Sequence, residues 1–362
     1  AGHINPALSV ASAIRKSYPE VKLCFAGNPE GMEARLVPQA GFDFMPFNAM
    51  GIQRKLTPYN IYRNIKSVGL LFTAAPRSKK LLREFGPNVV VGTGGYVSGP
   101  ILMEAAELGI KTVTHEQNAF PGVTTKLLSK HVDKVLVAVE KAGDYLDPSV
   151  KYIVTGNPVR TEILTAQRQS ARRELGIDED KFCILSFGGS LGAQRVNEAI
   201  AEVMAWHVPL GTVHHIHATG QYGVELLPEL LEKKNVAYKN NPSLDIREYI
   251  DNMPICLSAA DIVICRAGAI TLSELQAAGR ASILVPSPNV AENHQYHNAM
   301  VMVNNNAARI LEEKDLTGES LTAMVRELQE NPQLAYELGR NARKMAITGA
   351  NNKIMEEILA LL

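Results

Sequence analysis

Apolar residues along this chain fall into short, dense runs separated by longer stretches of helical spacing. Val21–Ala26, Val89–Gly92, Lys111–His115, Lys134–Ala138 and Tyr152–Thr155 are runs of four to six residues. They are too short for helices and read as buried strands. Between them, segments such as Ala7–Lys16 and Gly99–Leu108 repeat apolar positions at helical intervals. Strands alternating with helices imply a parallel sheet with helices on both faces.

After Pro158 the rhythm restarts. Phe182–Phe187 predicts a strand, Gly188-Gly189-Ser190 a tight turn and Gly192–Met204 a helix; Thr212–His217, Asp261–Cys265 and Ser282–Val285 are further strands. The chain thus divides into two Rossmann-like, doubly wound units, residues 1–158 and 159–344, with a boundary near Asn157–Arg160. A final helix around Ile354–Leu361, within about 345–362, is placed on neither unit by its periodicity.

Composition narrows the partners. At 362 residues, with 46% hydrophobic and 20% charged, the chain has material for two ordinary cores. Lys+Arg and Asp+Glu are equal at 37 each, so no global field draws it to nucleic acid. Cys24, Cys183, Cys256 and Cys265 form no C-x-x-C pair, which suits buried thiols in a reducing compartment better than disulfides or zinc. No apolar run reaches the roughly 18 residues of a membrane span, and no signal-peptide pattern opens the chain. A soluble, intracellular protein is expected. Ala1-Gly2-His3 looks like the tail of a glycine-rich turn whose strand is missing.

Candidate chemistry sits in the glycine-bearing turns. Gly188-Gly189-Ser190-Leu191-Gly192 joins a strand to a helix, where free N–H groups favour a phosphate; a plain βα turn is the alternative. In Arg266–Glu274, Thr271 and Glu274 have capping-box spacing, while Glu274 could instead accept hydrogen bonds from a ribose diol. His3 precedes Asn5-Pro6, a plausible N-cap and first helical residue, and its near-neutral pKa suits either a general base or a structural role. Gly92–Pro100 is rich enough in glycine to approach an anion or simply to flex, and His115-Glu116-Gln117-Asn118 follows another strand on the same sheet edge.

Residues 44–83 hold no Asp or Glu but eight basic residues, Arg54, Lys55, Arg63, Lys66, Arg77, Lys79, Lys80 and Arg83. Interleaved are Leu56, Tyr59, Ile61, Tyr62, Ile65, Val68, Leu70, Leu71 and Phe72. The mixture suits an anionic lipid surface as well as it suits a solvated helix with a core-facing stripe. Asp178-Glu179-Asp180 spells a D-x-D metal pattern but precedes a strand, so a solvated turn is expected and no metal site.

Ala1–Pro6 (AGHINP), Gly92–Pro100 (GTGGYVSGP), His115–Asn118 (HEQN), Gly156–Arg160 (GNPVR), Gly188–Ala193 (GGSLGA), Cys265–Glu274 (CRAGAITLSE) and His294-Gln295 together resemble the MurG family of peptidoglycan glycosyltransferases. The pieces follow the family's order over nearly the whole chain; only the opening G-G-T-G-G-H is shortened, to Ala1-Gly2-His3. The resemblance implies the GT-B fold: two Rossmann-like domains separated by a cleft, with the C-terminal helix returning to the first. It implies inverting transfer of N-acetylglucosamine (GlcNAc) from UDP-GlcNAc to the C4 hydroxyl of MurNAc in undecaprenyl-pyrophosphoryl-MurNAc-pentapeptide (lipid I), giving lipid II.

By the same resemblance, Ser190 beside Gly189 meets the donor diphosphate with Arg160 nearby, Ile250 contacts uracil through its backbone, and Ala269, Ile270, Thr271, Leu272 and Ser273 line the nucleotide site. Glu274 holds the ribose, and Gln295 with His294 the sugar; Ala1, Gly2 and Asn118 complete the donor contacts. Gly2, His3, Thr93, Gly94, Gly95 and Tyr96 receive the acceptor diphosphate. His3 is the candidate base, Asn118 lies at the reaction centre, and Glu116 is an alternative base. Residues 54–83 meet the anionic inner leaflet, placing the protein peripherally on the cytoplasmic face of the bacterial cell membrane, with other cell-wall and division proteins as further partners. No cofactor or metal is implied. Rival readings are a diacylglycerol glycosyltransferase, a UDP-GlcNAc 2-epimerase and a non-catalytic nucleotide-sugar-binding subunit.

Overall fold

The computed structural model describes residues 2–49 and 73–362. These divide into two compact units, Ala1–Pro158 with Gly349–Leu362, and Val159–Thr348. Ala1 and most of the basic, apolar segment, Arg54 to Phe72, lie outside the described residues.

In the first unit β1 (Cys24–Gly27) and β2 (Asp43–Pro46) pair in parallel, and β3 (Val89–Gly92), β4 (Lys111–Glu116), β5 (Lys134–Val137) and β6 (Tyr152–Val154) form a four-stranded parallel sheet in that order. The opening helix starts at Ile4 with His3 as its N-cap, two residues before the expected Pro6. Pro6 still falls in the first turn, where its missing N–H costs nothing. Val10 and Ile14 of this helix pack with Val113, Leu136, Ile354 and Ile358, so the helix Ala350–Leu359 belongs to this unit. Lys134 Nζ pairs with Glu357 at 2.7 Å beside that contact. Lys79 and Lys80 sit on the helix Ala74–Phe85, which buries Ala74, Ser78 and Leu82; Lys80 is exposed, while Lys79 lies 4.0 Å from Glu104.

The second unit holds β7 (Phe182–Phe187), β8 (Val213–Ala218), β9 (Leu244–Arg247), β10 (Ile262–Cys265), β11 (Ala281–Leu284) and β12 (Arg309–Ile310). All pairings are parallel, in the order β9-β8-β7-β10-β11-β12. The order reverses between β7 and β10, which makes their carboxyl ends the crevice of a doubly wound sheet. Side chains alternate as a strand requires: Cys183, Leu185, Val263 and Cys265 fill one apolar layer, and Ile184, Ile262, Ile264 and Ile283 the other. All four cysteines are free. Asp178-Glu179-Asp180 is an exposed turn whose Asp178 and Glu179 carbonyls accept from the buried Arg172.

One layer of this unit contains a polar chain. Asn197 Nδ2 donates to the Thr219 carbonyl at 3.0 Å, so its Oδ1 must accept from His217 Nε2–H at 3.1 Å. His217 Nδ1 then accepts from the Ser186 hydroxyl, which accepts from His215 Nε2–H, each at 2.7 Å. His215 Nδ1 accepts from His207 Nε2–H at 2.9 Å. Every hydrogen points one way and all three imidazoles are neutral; a proton added to His215 Nδ1 would face the His207 N–H, and one added to His217 Nδ1 would turn the Ser186 hydrogen out of the chain. Burial pushes His207 and His217 down to about 4 and His215 well below its ordinary value. Unfolding returns each ring to a pKa near 6.5, so the unfolded chain binds more protons and stability falls as pH drops from about 6.5 toward 4. Replacing His207 with Leu should flatten the pH dependence of unfolding free energy by up to about one proton, roughly 1.4 kcal/mol per pH unit in that window. Denaturant melts of both proteins between pH 7.5 and 4.5 check this; parallel curves would refute the proton count.

Candidate functional site

Most predicted site residues, Gly2, His3 and Arg160 apart, follow the carboxyl ends of the strands of their own unit. In the second unit β7 runs into Gly188–Gly192 and then the helix Gln194–His207. Gly192 has φ +85°, and a Cβ there would lie 2.4 Å from the Thr219 carbonyl oxygen. One at Gly220 would lie 2.0 Å from Gly192 N. The turn therefore lies against the backbone that follows β8, pinned by Tyr222 N–H donating to the Leu191 carbonyl at 3.0 Å.

Neither this helix nor Ala269–Ala278, which follows β10, has a side chain capping its start. Their N-caps are Ala193 and Gly268. Two positive dipole ends consequently face the crevice. Between them lies a cavity of about 630 Å³ lined by Gly188–Arg195, Arg266, Gly268, Thr271, Gln295 and Glu313. An anion of nucleotide size is what such a cavity can hold.

Of the donor residues named from the sequence, Gly189, Ser190, Thr271 and Gln295 line this cavity. Gln295 Oε1 accepts from Ser287 N–H at 2.9 Å. Its helix, His294–Asn304, follows two non-glycine residues at positive φ, Glu292 at 53° and Asn293 at 49°. His294 Nδ1 lies 2.8 Å from the Ala291 carbonyl. Ile250 and Leu272 bury their side chains in the apolar layer, leaving backbone as the part that can meet a ligand. Ala269, Ile270 and Ser273 lie in the first helical turns after Gly268, and Ser273 Oγ donates to the Ala269 carbonyl at 3.1 Å.

The expected capping box does not form. The helix begins at Ala269, so Thr271 is already inside it and Glu274 sits a turn too late to cap it. Glu274 instead accepts from Arg160 Nε at 2.9 Å. Burial pushes its carboxyl up, against the pull of Arg160. Sequence reading quoted Arg266 within a motif but gave it no role. Arg266 donates to the Val285 and Pro286 carbonyls and pairs with Glu313, 47 residues away, so no local spacing announces the pair.

In the first unit His3, Thr93, Gly94, Gly95 and Gln117 come together. Thr93 Oγ1 donates to the His3 carbonyl at 2.8 Å. Gly94, at φ +92°, lies so near the imidazole that a Cβ would fall 2.9 Å from Nδ1. His3 Nδ1 is 2.9 Å from Gln117 Oε1. Tyr96 is 60% exposed, and Gly2 has open space around it. Glu116, buried, has both oxygens engaged: one accepts from Asn118 N and Nδ2 at 3.0 Å, the other from Gly122 N at 3.0 Å and Thr125 Oγ1 at 2.6 Å. That geometry makes Glu116 the anchor of the loop that presents Asn118.

Among the described residues no group of three or more His, Cys, Asp or Glu is placed to hold a metal ion, and no helix is long and apolar enough to cross a membrane.

The glycosyltransferase family 28 N-terminal domain matches residues 1–137, and the family 28 C-terminal domain residues 183–355. A protein of Acetivibrio thermocellus named UDP-N-acetylglucosamine--N-acetylmuramyl-(pentapeptide) pyrophosphoryl-undecaprenol N-acetylglucosamine transferase is 39% identical over 358 residues, covering 99% of this chain and 95% of its own. A protein of the same name from Thermoanaerobacter sp. is 40% identical over 361 residues, covering 99% and 97%. The crystal structure of Acinetobacter baumannii MurG superposes with a TM-score of 0.74 at 29% identity, covering 99% of this chain and 96% of that one. A UDP-GlcNAc 2-epimerase from Neisseria meningitidis reaches a TM-score of 0.63 at 16% identity, which shows a shared fold alone.

Doubly wound domains with a glycine turn at the crevice define a GT-B glycosyltransferase, and the enzyme is a hexosyltransferase. The chain belongs to glycosyltransferase family 28, and within it to the MurG family.

Gly192→Ala should cost about 3 kcal/mol or more, because left-handed strain adds to a backbone clash with Thr219. Gly189→Ala, also at positive φ but with nothing within 4 Å of its Cβ, should cost only about 1–2 kcal/mol. Denaturant midpoints of the two variants give the comparison, and equal losses would refute the close approach. Glu116→Gln should lower stability by roughly 2 kcal/mol by turning acceptors toward donors. An unchanged melting temperature would show that the four hydrogen bonds do not anchor the loop.

Proposed function

We propose that the protein transfers GlcNAc from UDP-GlcNAc to the C4 hydroxyl of MurNAc in lipid I, forming lipid II with inversion. The observation that carries this reading is near-full-length identity of 39–40% to enzymes bearing that name. The anion-sized cavity at the crevice supports it.

In this reading the second unit binds the donor. The diphosphate lies at the uncapped helix starts with Ser190 and Gly189, Arg160 adds charge nearby, and Glu274 holds the ribose. Ile250 contacts uracil through its backbone, residues 269–273 line the nucleotide, and Gln295 with His294 holds the sugar. The first unit binds the acceptor diphosphate through Gly2, His3, Thr93, Gly94, Gly95 and Tyr96, with Asn118 at the reacting centre.

The acceptor oxygen forms its bond to C1 as the bond from C1 to the UDP oxygen breaks. His3 takes the hydroxyl proton. The electron pair leaves with UDP, and the two helix starts stabilise the added negative charge where it develops. Of the two candidate bases, His3 keeps a ring nitrogen without a partner among the described residues, whereas both oxygens of Glu116 hold its own loop. Residues 54–72 with Lys79 and Lys80 meet the anionic inner leaflet, which makes the enzyme peripheral on the cytoplasmic face and near other cell-wall and division proteins.

The test is GlcNAc transfer from labelled UDP-GlcNAc to a short-chain lipid I analogue with EDTA present. Lipid II analogue should form, and His3→Ala should lower turnover by roughly 100-fold or more with UDP affinity kept. Donor binding without transfer to lipid I, together with transfer to diacylglycerol or epimerisation of the donor, would overturn the reading.

A further inference from the structure

Gln117, the third residue of the His115–Asn118 motif, sits between two histidines. Two backbone carbonyls fix every proton around it. Gln117 Nε2 lies 2.7 Å from the His115 carbonyl oxygen, an acceptor only, so that atom is the amide NH₂ and Oε1 is the atom facing His3. His115 Nε2 lies 3.0 Å from the Gly156 carbonyl oxygen, so it carries hydrogen and His115 Nδ1 must accept from Gln117 Nε2 at 3.0 Å. Since Gln117 Oε1 can only accept, the hydrogen shared with His3 belongs to His3 Nδ1. Asn157 Nδ2 donates to the Gln117 carbonyl at 3.1 Å and holds the backbone in place.

His115 and Gln117 are both 2% exposed, so neither amide nor ring can turn over into water. Burial keeps His115 below the ordinary histidine pKa, which preserves the neutral, accepting Nδ1 on which the order depends. Gly94 completes the clamp: any Cβ there would press on His3 Nδ1 and Cε1 at 2.9 and 3.0 Å.

We propose that Gln117 is a positioning residue that locks His3 in its Nδ1–H form, so that the Nε2 lone pair is the one presented to the acceptor hydroxyl. The inference rests on His3 being the base. A neutral histidine free in water favours the opposite form, with hydrogen on Nε2 and no lone pair there to accept a proton. The His115–Gln117 pair thereby does for His3 what a carboxylate does for the histidine of a catalytic triad: it sets the tautomer and the ring plane. It does so with neutral groups, which add no charge where an anionic acceptor must bind.

The experiment is ¹⁵N NMR of histidine-labelled full-length enzyme, with His3 assigned by comparison with His3→Ala, at a pH where the ring is neutral. The native His3 should show a protonated Nδ1 and a bare Nε2; a protonated Nε2 would overturn the proposal without any variant having to fold. Gln117→Leu should move His3 toward the Nε2–H form and lower kcat by roughly 10- to 100-fold, with KM for UDP-GlcNAc within about twofold. If His3→Ala abolishes turnover while Gln117→Leu keeps native kcat and tautomer, this inference fails and the base assignment stands. If His3→Ala keeps turnover, the base assignment fails, whatever the tautomer.

Discussion

The second unit is organised by one close approach of backbone to backbone. The turn after β7 lies on the chain after β8 at Gly192 and Gly220, near enough that neither position tolerates a side chain. That contact decides where Gln194–His207 begins and where its uncapped start points. The same junction recurs inside the layer, because Asn197 of that helix donates to Thr219, the residue on which Gly192 rests. The glycine turn that lines the cavity and a buried polar chain therefore share one anchor. Two glycines without Cβ atoms hold the start of that helix at a fixed depth in the crevice.

The first unit is organised by different means. Its loops are held less by apolar packing than by side chains bonded to backbone: Glu116 to the turn at Gly122, Gln117 to the His115 carbonyl, His115 to Gly156 and Thr93 to His3. Net hydrogen-bond energies of about 1 kcal/mol each are modest, but leaving the buried members, His115, Glu116 and Gln117, unpaired costs more. The arrangement is consequently specific before it is strong, as a site that must aim one nitrogen requires.

Much of this was legible in the chain. Val89–Gly92 and Phe182–Phe187 were bounded correctly from apolar runs alone, because a buried parallel strand needs continuous apolar residues and stops where they stop. Helix starts were less legible. The spacing of Thr271 and Glu274 imitates a capping box, yet the chain already turns helical at Ala269. Pairings over long separations, such as Arg266 with Glu313 or Arg160 with Glu274, left no local signal. The histidines at 207, 215 and 217 drew no notice, since a single buried histidine looks like any other until its neighbours are known. Gln117 was visible only as a letter in a motif; its importance lies in which carbonyls surround it, and spacing does not record that.

The helix Ala350–Leu359 has a consequence for the order of events during synthesis. Ile354 and Ile358 complete the apolar cluster around Val10, Ile14, Val113 and Leu136. They leave the ribosome only after all of Val159–Thr348 has been made. One apolar cluster of the unit whose residues emerge first thus closes only once the final helix is made, and Val10 and Ile14 wait until then. Such a chain spends its elongation time with an open apolar face, the condition under which nascent proteins depend on chaperones.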